Sequence, residues 1–98
     1  MNGTHSTMKA SWYEDGHITA CGQKFDPNDS STAAHKELPC GTLLKVKGPS
    51  GRYLLMVVRD KGPYAKGRSL DVSRAAAIKL GFLSKGVADL EVEVVHRP

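Results

Sequence analysis

Apolar and polar residues alternate over short stretches along most of this chain. Met8, Ala10 and Trp12 are separated by Lys9 and Ser11, a period of two that places Trp12 on the buried side of a first strand. Leu44 and Val46 alternate with Lys45 and Lys47, the turn-forming Gly48-Pro-Ser-Gly51 follows, and the nearly continuous apolar run Tyr53-Leu-Leu-Met-Val-Val58 comes next. This order predicts a hairpin whose second strand is buried on both faces. Towards the C-terminus Leu90, Val92 and Val94 alternate with Glu91 and Glu93, predicting a half-buried final strand.

One stretch breaks the period. Ser73 can accept from first-turn amides as an N-cap, Arg74-Ala-Ala-Ala-Ile-Lys-Leu80 consists largely of good helix formers, and Gly81 can adopt the left-handed cap. The predicted helix is short, with Ala76, Ala77 and Leu80 turned to the sheet. Several short strands and one short helix imply a closed or nearly closed barrel, because closure removes exposed strand edges. Propensity does not set the strand order. With no linker, low-complexity tract or tandem repeat, residues 8–96 are expected to form a single domain.

A chain of 98 residues buries only about two-thirds of its unfolded surface, so a covalent staple would matter. Cys21 and Cys40 both sit beside glycine in loop-like surroundings, and two readings stand: one disulfide, or two free thiols. A disulfide would contribute roughly 3 kcal/mol and would persist outside the reducing cytosol. No metal or cofactor is expected, since neither Cys-x-x-Cys nor His-x-x-x-His spacing occurs among the cysteines and His5, His17, His35 and His96. The net charge of +4 favours an anionic partner: nucleic acid, a membrane surface, or the carboxylates and phosphates of a cell wall. Lys45, Lys47, Arg52, Lys66 and Arg68 lack the interleaved aromatics of a base-stacking platform, which argues against nucleic acid. No apolar run approaches the roughly 20 residues needed to cross a bilayer, and the start is too polar for a secretion leader.

The segments Ala10-Ser-Trp-Tyr13, Thr19-Ala-Cys-Gly-Gln-Lys-Phe-Asp26, Thr32-Ala-Ala-His-Lys-Glu-Leu-Pro-Cys-Gly-Thr42, Val57-Val-Arg-Asp-Lys-Gly-Pro-Tyr64 and Gly67-Arg-Ser-Leu-Asp-Val-Ser-Arg-Ala-Ala-Ala-Ile-Lys-Leu-Gly-Phe82 occur in one order. Together they resemble the rare lipoprotein A family, over almost the whole chain. The resemblance implies a mainly β fold, a six-stranded double-psi β-barrel with one short α-helix, also seen in expansins and barwin-type proteins. It further implies a monomer in the periplasm or outside the cell whose partner is the glycan strand of peptidoglycan. Some members are lytic transglycosylases that leave a 1,6-anhydro end. Their groove carries a Glu, a His and an Asp in blocks that match Gln23, His35 and Asp60 here. The interval from Gln23 to His35 is one residue longer than the family's usual pattern. The cysteines resemble a pair found in secreted barrels of this type, which would pin the Gln23 loop beside the His35 segment.

Glycosidic cleavage needs a proton at the leaving oxygen and stabilisation of an oxocarbenium-like transition state. In lytic cleavage the substrate's own C6 hydroxyl attacks the anomeric carbon, so no activated water is required. Gln23 has no proton to donate, although its amide can still hydrogen-bond a sugar. That leaves Asp60 as the candidate acid, set after a buried strand and before Gly62-Pro63, or as a residue that shapes the turn. His35 could orient Asp60, contact the sugar, shuttle a proton, or be structural. Glu14 and Asp15 are substitute carboxylates or solvated loop charges. Asp26 reads as a turn residue and Asp71 as fixing the helix entrance. Tyr13 and Tyr64 are candidate sugar-stacking rings. Three functions remain open at this level: a lytic enzyme, a non-catalytic glycan-binding barrel, and an inhibitor acting through its loops.

Overall fold

A computed structural model of the chain describes residues 4–14, 18–64 and 66–98. In chain order the strands are β1 (Thr4–Tyr13), β2 (Thr32–His35), β3 (Leu43–Lys47), β4 (Tyr53–Asp60), β5 (Leu70–Ser73) and β6 (Val87–His96), with helix α1 (Arg74–Leu80) between β5 and β6. They close into a barrel in the order β1-β5-β2-β4-β3-β6. β1 with β5 and β2 with β4 run parallel, while the other neighbouring pairs are antiparallel.

Alternation explains the interior. Ala10, Leu44, Val46, Met56, Val58, Leu70, Val72, Leu90 and Val92 are fully or almost fully buried and pack as one cluster. Met8 and Trp12 pack against that cluster from β1, and the Trp12 indole N–H donates to the Leu83 carbonyl at 3.1 Å. The Lys45 and Lys47 ammonium groups instead lie over the ring of Tyr53 on the outside. β4 therefore departs from the expectation of burial on both faces: Tyr53 is 57% and Leu55 66% exposed, because only Met56, Val58 and Asp60 are enclosed. The apolar outer residues hid the alternation.

The helix forms as its sequence dictates. Ser73 caps it by accepting from the Ala76 amide, Gly81 adopts a left-handed φ of 93°, and Ala76, Ala77 and Leu80 are buried. It packs on β1, β4 and β5. The β3–β4 turn closes over its C-terminus, where Ser50 donates its amide to the Leu80 carbonyl and its hydroxyl to the Lys79 carbonyl. That approach needs glycine at position 48, since a Cβ there would lie 2.5 Å from the Leu80 oxygen.

Candidate functional site

Between β1 and β2 a long loop lies against the end of β4 and the start of α1. Its segment 18–31 is tied at several points. The Cys21 amide donates to the Arg59 carbonyl at 3.2 Å, the Val57 amide to the Ser31 carbonyl at 2.7 Å, and the Ala75 amide to the Pro27 carbonyl at 2.9 Å. Cys21 and Cys40 form a disulfide with Cα atoms 5.8 Å apart, so the reading with two free thiols falls away. Within the loop the Thr19 amide donates to the Gln23 carbonyl at 2.7 Å and the Gln23 amide to Thr19 Oγ1 at 3.2 Å, which leaves Gln23 exposed on a tight turn. The Asp26 carboxylate accepts from the Asn28 amide, the turn role expected of it.

Asp60 is the anchor of this loop. Strict alternation from Met56 and Val58 would send its side chain into the barrel. The register with β2 instead jumps from Ala33↔Val58 to Ala34↔Asp60, a bulge at Arg59 that carries Asp60 onto the same face as Ala34. The side chain is enclosed, with 9% of the residue exposed, and its Oδ1 accepts from the amides of Ala20 (2.8 Å) and Lys61 (2.9 Å). The Lys61 ammonium points away to the Leu38 carbonyl at 2.7 Å.

Tyr13 and Asp71 complete a cluster around Asp60. The Tyr13 hydroxyl is hydrogen-bonded to the Asp60 carboxylate, and its ring stacks on Phe25 with centroids 4.3 Å apart. Burial foremost, then the charges of Asp60 and Asp71 and the hydrogen bond to Asp60, push this phenol far above its ordinary value, so it stays protonated and donates. Tyr13, read from the sequence as a candidate sugar-stacking ring, has Phe25 stacked on its own ring. Asp71 was expected to fix the helix entrance. That task belongs to Ser73, and Asp71 sits within β5, where it accepts from the buried hydroxyl of Ser11, its register partner on β1. Burial above all, and the nearby Asp60, push the Asp71 carboxyl up, against the opposing effects of the Ser11 hydrogen bond and Arg68.

His35 belongs to a different arrangement. It follows Ala34 on β2 and so leaves the opposite face of the strand from the residue that pairs with both Asp60 and Asp71. Its Nδ1 accepts from the amides of Glu37 (3.0 Å) and Leu38 (3.1 Å), so the neutral ring carries its proton on Nε2. Burial pushes its pKa down from 6.5, reinforced by Lys61, Lys36 and Arg97 against the opposing charge of Glu37. The ring lines a cavity of about 400 Å³ with Met8, Leu38, Val94 and Arg97. Lys61 links the two regions, since its amide meets Asp60 and its ammonium meets Leu38.

The remaining candidates lie nearer the surface. Glu14 is exposed, pairs with Arg74 at 3.7 Å, and lines a cavity of about 430 Å³ with Lys24, Phe25, Asp26 and Pro27. Tyr64 is 77% exposed. Asp15 lies outside the described residues.

A family model described as lytic transglycolase matches residues 5–92 of this chain. The chain belongs to that family. A probable endolytic peptidoglycan transglycosylase RlpA from Aquifex aeolicus is 47% identical over 91 residues, covering 89% of this chain and 40% of the relative. An endolytic peptidoglycan transglycosylase RlpA from Vibrio cholerae is 42% identical over 97 residues, covering 95% of this chain and 36% of the relative. The chain thus spans about two-fifths of these relatives' length. Among solved structures, a Streptomyces papain inhibitor superposes with a TM-score of 0.77 at 28% identity, covering 95% of this chain and 94% of that one. An expansin from Clavibacter michiganensis superposes with a TM-score of 0.76 at 25% identity, covering 97% of this chain and 52% of that one. The family's barrel is the double-psi type, and the closed six-strand mixed barrel with one helix is that fold. Among the described residues, no helix is long and apolar enough to cross a membrane.

Proposed function

We propose that this barrel acts on the glycan strands of peptidoglycan as a lytic transglycosylase outside the cytoplasm, as a single chain and without a cofactor. The observation that carries the reading is the Asp60 cluster: a bulge brings a carboxylate onto the face it shares with Ala34, under the 18–31 loop, and two backbone amides and a tyrosine hydroxyl hold it there. Donors fixed on a carboxylate in an enclosed site preorganise negative charge, which is what a developing oxocarbenium ion requires. Gln23 stands on the loop that Asp60 anchors, suited to hydrogen-bond a sugar hydroxyl or acetamido group, and the exposed Tyr64 follows Asp60 by four residues as a stacking ring. The disulfide fits an oxidising compartment. The similarity to peptidoglycan transglycosylases in four organisms or more supports the substrate class.

The test is digestion of purified peptidoglycan followed by mass spectrometry of the released fragments. Anhydro ends support lytic cleavage and reducing ends indicate hydrolysis. Retention on sacculi with no release shows a glycan-binding barrel. A second reading is inhibition of a cysteine protease, favoured by the superposition on a papain inhibitor along nearly the whole of both chains. Nanomolar inhibition of papain, together with no retention on sacculi, would establish it instead.

A further inference from the structure

β1 outruns the strand that closes the barrel beside it. It begins at Thr4 but meets β5 only from Ala10, whose partner Leu70 also pairs with His35, the last residue of β2. Beyond that row the barrel has an open end. Ser6 and Met8 keep step with Ala10, and Val94 with Leu90 and Val92, so these side chains lie on the inner face there. The segment after β2 covers part of this end and is held in place. The Leu38 amide donates to His35, its carbonyl accepts the Lys61 ammonium, and Cys40 is tied to Cys21. What stays open is the cavity of about 400 Å³, within the roughly 300–1,000 Å³ of small-ligand sites, which favour the mouths of β-barrels.

One wall of that cavity is a polar group without a partner. His35 is 7% exposed, and its Nδ1 is taken by two amides. Its Nε2–H has no acceptor among the described residues. The fully enclosed side-chain atom left without a partner there is Thr32 Oγ1, so Nε2 opens to the cavity. A donor buried to this extent needs an acceptor. The surrounding charge selects its kind: Lys61, Lys36 and Arg97 act on the ring against Glu37 alone, and Arg97 stands at the cavity wall. We propose that this open end of the barrel binds a peptide end that carries a free carboxylate beside an apolar side chain. The carboxylate takes the His35 Nε2–H and the Arg97 guanidinium, a charge-assisted pairing. The apolar side chain rests on Met8, Leu38 and Val94, and the peptide N–H meets Glu37 or the Ser6 hydroxyl. A neutral sugar ring would instead set hydroxyls against the apolar wall and leave Arg97 without an anion. The site lies on the face of β2 opposite to Asp60, so it stands whether or not the Asp60 face cleaves glycan. Arg97 follows the last strand and belongs to no motif, so only the closed barrel brings it to His35.

The test is a titration of the full chain with N-acetyl-leucine, followed through the backbone amide shifts and the His35 Nε2 resonance in NMR spectra. Shifts should concentrate at His35, Leu38 and Val94 and saturate in the millimolar range or below. N-acetyl-leucinamide, which lacks the carboxylate, should bind about 10–100-fold more weakly. Arg97→Gln should weaken N-acetyl-leucine by a similar factor, and because Arg97 is exposed the variant should keep the fold. Val94→Phe, which fills the cavity, should abolish binding. The two enantiomers of the probe distinguish the source, since wall peptides end in D-residues and ribosomal chains in L-residues. Binding of either hand supports the pocket, and the tighter one names its origin. The proposal is overturned if the amide binds as well as the acid, if Arg97→Gln binds as the wild type does, or if neither enantiomer binds. It is equally overturned if N-acetylglucosamine moves the same resonances at lower concentration than either enantiomer.

Discussion

Replacing Cys21 and Cys40 by alanine removes the one covalent tie between the long loop and the segment after β2. The bridge spans a sequence separation of 19. Closing a loop of that length removes about 11 cal/mol/K from the unfolded chain, or about 3 kcal/mol at room temperature. In a domain of this size each kcal/mol moves the midpoint by about 4–8 °C, so the variant should melt roughly 12–24 °C lower. It should still fold, because the Ala20 and Cys21 amides still donate to Asp60 and to the Arg59 carbonyl, and the Pro27 carbonyl still accepts from the Ala75 amide. Circular dichroism melts of wild type and variant, each with and without reductant, provide the assay. Reductant should lower the wild-type midpoint to that of the variant and leave the variant unchanged. A loss of under about 4 °C would refute the reasoning, since it would mean that the hydrogen bonds alone confine the loop or that the unfolded chain is already restricted there.

Other expected outcomes follow from particular contacts. A histidine with a lowered folded-state pKa binds fewer protons folded than unfolded, so its contribution to stability is complete above 6.5 and is lost as the pH falls from there towards the folded-state value. His35→Asn keeps an acceptor for Glu37 and Leu38 and should flatten this decline in urea titrations, whereas an unchanged slope would contradict the assignment; His35→Ala strands both amides and should cost roughly 1–3 kcal/mol. Gly48→Ala drives a Cβ to 2.7 Å from that of Leu80 and should destabilise by roughly 1–3 kcal/mol in thermal melts; a neutral effect would mean that the turn does not press on the helix as described. Gln23→Glu places a titratable carboxyl on the loop held by Asp60 and should raise the release of anhydro fragments from peptidoglycan, and no change would remove position 23 from the site.

What the sequence revealed depended on length and on contrast between faces. β1, β3, β6 and α1 were legible because apolar positions alternate with lysine, glutamate or serine, or because Ser73 and Gly81 bracket a run of helix formers. β2 and β5 span four residues each, too few for a period to emerge, yet they sit side by side between β1 and β4 and carry Ala34 and Asp71. The order of the strands rests on two parallel pairings that join distant segments, which no local pattern encodes. Asp60 was visible as a candidate from its motif, but the bulge that re-aims it was not, because a bulge is a mismatch between two strands and neither sequence shows it alone. The separation of His35 from the Asp60 face likewise depends on which side of a four-residue strand each residue leaves.

The most direct check on the account is one comparison of fragments released from purified peptidoglycan by wild type and by Asp60→Asn, read by mass spectrometry at equal folded protein. Anhydro-ended fragments from the wild type, reduced at least about a hundredfold in a variant that still binds sacculi, are the predicted result. Equal release from both proteins, or none from the wild type, would contradict it.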